Sequence, residues 1–181
     1  FTDHTLYFFT NLGNCYTLSV SALPEMNKPK DRGALLNSVL AGLEENETAV
    51  HIMCLKPGEV ANQPDLLFVT RNGQVKRTAA NEYDVRRSKF AAINLKDGDV
   101  LHAVLPMDPA LDILMFSEQG MCIRFHTDSI PAQGRVAGGV KGMNLEDGDA
   151  PILPSEDKLA LEDKWILSKY NTYPYNQKHI Q

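Results

Sequence analysis

Between Arg71 and Lys89 the chain places six cations (Arg71, Lys76, Arg77, Arg86, Arg87 and Lys89) against two anions, Glu82 and Asp84, a local net charge of +4. Arg124, Arg135 and Lys141 follow at broadly comparable places further on. The whole 181-residue chain carries −5, so the chemistry open to these cations depends on the local field and not on the total. That chemistry is electrostatic capture of a phosphate backbone. Acidic residues gather elsewhere: seven anions between Glu146 and Lys164 face only Lys158 and Lys164, a local net of −5. Catalysis finds no support. There is no phosphate-cradling glycine loop, no serine elbow and no histidine–carboxylate cluster. The five histidines show no paired ligand spacing. Cysteines at 15, 54 and 122 are odd in number and far apart, which argues against a disulfide framework and for a reducing compartment.

The elements that must position the cations declare themselves as a repeat. "TLYFFTNLGNCY" from Thr5 stacks without gaps on "DLLFVTRNGQVK" from Asp65 and on "DILMFSEQGMCI" from Asp112. Each copy is an apolar run, a Thr or Ser, two variable residues, a glycine and a second β-rich run. Gly13, Gly73 and Gly120 fall at one position, where a hairpin loop that turns as type I needs positive φ. The apolar runs Leu6–Phe9, Leu66–Val69 and Ile113–Phe116 are continuous, which predicts strands covered on both faces. Cys15, Val75 and Cys122 share one repeat position and are expected in the core. A second register agrees: "LKDGD" (Leu95–Asp99) returns as "LEDGD" (Leu145–Asp149), with "LEENE" (Leu43–Glu47) as a looser copy. Asp-Gly signals a turn, the leading Leu an anchor beneath it, and the spacing is poor for calcium.

Units of about 45–60 residues with several strands each belong to radial blade architectures. The expected units are 1–60, 61–107, 108–154 and a truncated, divergent 155–181. In the last, Lys164 stands where the hairpin glycine should be, so residues 158–181 are expected to be the most mobile part. With 43% apolar residues the chain can bury a real core, and its apolar runs are strand length, too short to span a membrane as a helix. The opening at Phe1 without Met suggests a piece of a longer protein.

The stretches "LYFFTNLGNCYTLSVSALPE", "LLFVTRNGQVKRT" with "AAINLKDGDVL", and "GRVAGGVKGMNLEDGD" closely resemble the blade repeats of the C-terminal domain of the bacterial type IIA topoisomerase A subunit, the family of DNA gyrase and topoisomerase IV. The resemblance spans roughly residues 1–150. It implies an all-β, propeller-like β-pinwheel of four-stranded blades, here a partial arc of about three to four, whose basic outer edge bends and wraps DNA for strand passage. Implied DNA-binding residues are Arg71, Lys76, Arg77, Arg86, Arg87, Lys89, Arg124, Arg135 and Lys141, with Lys158 and Lys164 in the acidic stretch contributing little. Implied partners are double-stranded DNA, the B (ATPase) subunit, and the remainder of the A subunit, in the bacterial cytoplasm with the nucleoid and not at a membrane. No cofactor and no catalytic residue is expected in this fragment, because the family's ATP, magnesium and cleaving tyrosine belong to other domains. Tyr16, Tyr83, Tyr170, Tyr173 and Tyr175 are therefore not read as that nucleophile. The Gln-Arg-Arg-Gly-Gly-Arg-Gly box of gyrase is absent. Its nearest counterpart, Gln133–Gly142, sits in an ordinary blade position, so gyrase and topoisomerase IV both stay open as parent. The alternative from another class is a protein-interaction propeller that never touches DNA, which the net charge of −5 favours mildly.

Overall fold

Each of the three apolar runs forms the first strand of an antiparallel hairpin in the computed structural model, which describes residues 2–26, 28, 30, 32–107 and 112–152. In chain order, β1 (Thr5–Thr10) and β2 (Asn14–Ser19) are followed by a one-turn helix, α1 (Leu36–Val39), and by β3 (Ala49–Leu55). Next come β4 (Leu66–Thr70), β5 (Gln74–Thr78), β6 (Lys89–Ala91) and β7 (Leu101–Pro106). The last are β8 (Asp112–Phe116), β9 (Cys122–His126) and β10 (Val140–Lys141). The sheets run β3-β1-β2-β6, β10-β5-β4-β7 and β8-β9. In both four-stranded sheets the hairpin is central, and its second strand pairs with a short strand drawn from further along the chain. β6 takes the outer place beside β2, and β10 takes it beside β5.

Side-chain alternation welds the sheets face to face. Tyr7 and Phe9 of β1 meet Leu66 and Phe68 of β4 in one core, together with Cys15, Tyr83 and Phe90. The opposite face of β4, Leu67 and Val69, meets Ile113 and Met115 of β8 in a second core. β4 is thus buried at all five positions, as its continuous apolar run requires. The first core is built on an aromatic triad. Phe9 packs edge-on to Phe68 and Tyr83 at centroid distances of 5.7 and 5.4 Å, and Phe68 stacks on Tyr83 at 5.6 Å. Such pairs add roughly 0.5–1.5 kcal/mol each beyond their buried area. On the far face of the first sheet, Phe8 and Tyr16 are covered by Leu40 and the flanking Leu36 and Val39.

The third hairpin departs from expectation. Only Ile113 and Met115 of its first strand are buried, while Leu114 and Phe116 are half-buried. Cys122 is exposed, not in the core. The reason lies in the sheet. Cys15 is paired with Phe90 on β6 and Val75 with Val140 on β10, whereas no outer strand lies beside β9 among the described residues. Residues 158–181, expected to be mobile, lie outside the described residues.

The turns explain both repeats. Gly13, Gly73 and Gly120 have φ of 78°, 77° and 86°, and their N–H groups donate to Thr10, Thr70 and Ser117 respectively. The hydroxyls of those three residues, all buried, accept from the N–H of Asn14, Gln74 and Met121. The acidic pentapeptides then clamp each hairpin. Asp99 Oδ1 accepts from Asn72 N at 3.0 Å, and Asp149 Oδ1 from Gln119 N at 3.1 Å. Their neighbours Val100 and Ala150 accept from Arg71 N and Glu118 N, as Thr48 does from Asn11 N. Glu47 stands at the same place in the looser copy. Meanwhile Leu95 covers Gly13 of the preceding sheet and Leu145 covers Gly73. One pentapeptide therefore caps its own hairpin with an acid and roofs the previous one with a leucine. That double duty is why it repeats.

Candidate nucleic-acid interface

A cation can serve a phosphate only if its charge is exposed and not already spent, and by that test the nine sequence-predicted residues separate. Lys76 drops out. It lies on β5 with no exposed surface, and its ammonium bonds to the carbonyls of Ala92 (2.7 Å) and Arg135 (2.6 Å). Burial, with Arg135 pushing the same way and Glu82 opposing, brings it down to about 7. In sequence Lys76 counts as a surface cation because residue type alone does not show which sheet covers which face of a hairpin's second strand.

Arg77 and Arg124 occupy one repeat position and do one job. The Nε of Arg77 donates to Asp65 and that of Arg124 to Asp112, each at 2.6 Å, joining the start and end of its hairpin. Arg77 is half-buried and Arg124 is exposed. Both are held by carboxylates, so their charge reaches a ligand diminished.

The outer strands carry the rest. Arg86 and Arg87 are exposed on the approach to β6, beside the end of β2, where Thr17 N–H donates to Ser88 O. Lys89 on β6 is half-buried, with Nζ 5.0 Å above the Tyr16 ring, bonded to Gly42 O and 3.9 Å from Glu47. Burial and the bond to Glu47 push the Tyr16 phenol well up, so it remains a neutral donor. On the equivalent approach to β10, the half-buried Arg135 donates to Ala91 O and lies 5.2 Å from the Phe90 ring. Lys141 on β10 is exposed, opposite Gln74. Lys96, which the sequence reading treated only as a turn residue, reaches Gln74 Oε1 at 3.4 Å and so joins this group. Arg71 is exposed at the tip of the second hairpin. Arg71, Arg86, Arg87 and Lys141 make no ion pair among the described residues. Lys158 and Lys164 lie outside them.

β6 and β10 hold the same place in adjacent sheets, but their cations do not fall at equivalent positions: Lys89 answers to Gly139 and Lys141 to Ala91, so each passage carries its own cations along a shared backbone path. The chain "SKFAAINLKDGD" before Val100 and "GGVKGMNLEDGD" before Ala150 are the same structural passage. The glycines of the second are demanded by contact. A Cβ on Gly139, at φ 87°, would stand 2.6 Å from Val75 O, and one on Gly142 would stand 2.5 Å from a Val75 methyl.

The family model described as DNA gyrase C-terminal domain, beta-propeller, matches residues 4–29, 64–106 and 111–150. The chain belongs to this family. Its all-β sheets are propeller blades accordingly. Among relatives, the DNA gyrase A subunit of Halalkalibacterium halodurans is 35% identical over 144 residues, 79% of this chain and 17% of that protein. That of Staphylococcus epidermidis is 31% identical over 172 residues, 94% of this chain and 19% of that protein. The chain thus spans less than a fifth of the length of these curated relatives. A solved C-terminal domain of DNA topoisomerase IV superposes with a TM-score of 0.75 at 30% identity, over 86% of this chain and 49% of that one. A DNA gyrase A C-terminal domain, 22% identical with a TM-score of 0.62, shares the fold. No helix among the described residues is long and apolar enough to cross a membrane.

Proposed function

We propose that this domain binds duplex DNA without reading its sequence, and bends it along the outer strands of successive blades, as the wrapping part of a type II topoisomerase A subunit. The observation that carries the reading is the correspondence of the two outer passages. Arg86 and Arg87 on the approach to β6 with Lys89 on it, and Arg135 on the approach to β10 with Lys141 on it, put cations along the same passage of adjacent sheets, though not at equivalent residues. Phosphate contacts of this kind position a duplex and ignore its bases. A moderate bend costs about 1–6 kcal/mol, which released counterions and repeated contacts must offset. The chemistry of strand cleavage and ATP use is assigned to the B subunit and to the rest of the A subunit, and the setting to the bacterial cytoplasm. Nothing in the interface needs a cofactor.

A fluorescence titration with a duplex of moderate length at two salt concentrations tests the reading. Binding should weaken steeply with salt. Reversing both charges in Arg86→Glu/Arg87→Glu should weaken binding of all sequences alike and flatten the salt dependence by about one unit of slope per lost contact. Lys56→Glu, at the opposite edge of the first sheet beyond β3 and already 3.7 Å from Glu59, should change little. Equal losses from both variants would sink the edge-strand assignment. Absence of binding at low salt would favour a protein-interaction propeller.

A further inference from the structure

Lys76 carries a charge where an apolar side chain would be expected. Its stem lies under Gly139, whose missing Cβ would stand 3.2 Å from Lys76 Cβ, and its ammonium sits 4.5 Å from the Phe68 ring centroid. The positions equivalent in the repeat hold Tyr16 and Ile123, so the repeat does not itself demand a lysine. An ammonium in such a place is costly unless its donors are used. They are used on two backbone carbonyls, with the Tyr83 hydroxyl a third neighbour at 3.4 Å. Ala92 directly follows β6, and Arg135 lies on the approach to β10. One buried group on the second hairpin therefore ties the outer strand of the first sheet to the passage that leads to the outer strand of the second. Asn94 N–H on Ala137 O and the Arg135 guanidinium on Ala91 O join the same two passages, and Lys76 adds the buried tie beneath them.

We propose that Lys76 is a positioning residue that fixes β6 and the approach to β10 relative to one another, and so sets the path along which the outer-strand cations meet successive phosphates. This rests on the DNA reading above for its consequence, but not for the staple itself. The charged and titratable groups around the ammonium are Tyr83 and Glu82 of the turn before β6 and Arg135 of the approach to β10; Cys15 of β2 acts on Tyr83. β4 presents the Phe68 ring. Since burial brings Lys76 to about 7, a mild rise in pH converts a charge-assisted donor into a weaker neutral one. The staple then loosens, and Arg135 with it.

Two measurements on the 181-residue chain test this. In amide exchange without DNA, Lys76→Met should speed exchange at Asn94, Gln133 and Ala137, whose N–H groups bond to Ala137, Arg77 and Gly134, while β1 and β2 keep their protection. No change, or uniform acceleration everywhere, overturns the staple. In DNA titrations, which need no substitution, the salt slope of the unaltered chain should be steeper at pH 6 than at pH 8 by about one contact. That equals roughly a threefold to fourfold difference in how far affinity falls between 50 and 200 mM salt. The pH difference should vanish in Lys76→Met, which separates it from the contribution of groups common to both proteins. Equal pH differences in the two proteins overturn the positioning role. If the unaltered chain binds no DNA, the interface reading fails, and the exchange result alone decides the staple.

Discussion

Gly73 and Gly120 hold one place in the repeat, yet alanine should cost them different amounts. Both have left-handed backbone, worth about 1–2 kcal/mol against any L side chain. A Cβ at Gly73 would also stand 2.6 Å from Met143 O, whereas nothing lies within 4 Å of one at Gly120. Overpacking against backbone adds about 1–3 kcal/mol. Urea unfolding should therefore show Gly73→Ala losing about 2–5 kcal/mol, by the sum of those two effects, and Gly120→Ala about 1–2 from the first alone. Equal losses would mean that roofing by the next blade does not constrain this turn. Glu47 supports a second prediction. Its buried carboxylate accepts from the Thr10 and Tyr16 hydroxyls at 2.5 and 2.7 Å, from Asn14 Nδ2 at 2.8 Å and from Glu44 N. Burial pushes the carboxyl up, but these donors outweigh it and hold it below its ordinary 4.5. The folded value lies below the unfolded one, so the stabilisation is complete above the ordinary value and is lost as pH falls through the depressed one. Glu47→Gln should lower stability at pH 7 by about 1–3 kcal/mol and flatten the decline in acid. An unchanged acid limb would show that other carboxylates control it.

At the scale of elements, the hairpins were legible because two independent periodic signals agreed, the glycine register and the acidic pentapeptide. The outer strands were not. β6 and β10 have three and two residues, too short to show alternation, and each joins a hairpin laid down earlier in the chain. The positions of Cys122 and Lys76 were missed for the same reason, since burial on a hairpin's second strand depends on what arrives later beside it. Arg77 and Arg124 were legible as cations but not as ion-paired ones, because the matching Asp65 and Asp112 stand twelve residues back across the turn. The thiols test this element-level account. Cys54 and Cys122 are exposed and should react with a maleimide in the native state, while Cys15, buried and with its thiol pushed up by burial, should react only after unfolding. Slow labelling at Cys122, as slow as at Cys15, would show that β9 is covered in solution.

For the whole molecule, the decisive question is whether one duplex meets both outer strands at once. The two passages sit on different sheets, and sheets packed face to face are about 10 Å apart and twisted with respect to each other. A straight duplex touching one set of cations gains only that set, while a bent one gains both and must recover the elastic cost of about 1–6 kcal/mol. Arg86→Glu/Arg87→Glu on the first passage and Lys141→Glu on the second should thus each reduce bending as well as affinity, since either loss removes the reward for curving. Fluorescence energy transfer between the ends of a bound duplex should report a shortened end-to-end distance for the unaltered chain and a longer one for both variants. Raising salt should relax the bend before the complex dissociates, because every contact weakens while the stiffness of the duplex barely changes. AT-rich and GC-rich duplexes should bind alike apart from their differing stiffness. A bound duplex that stays at its free length would show the two passages acting separately, each as a plain cationic patch.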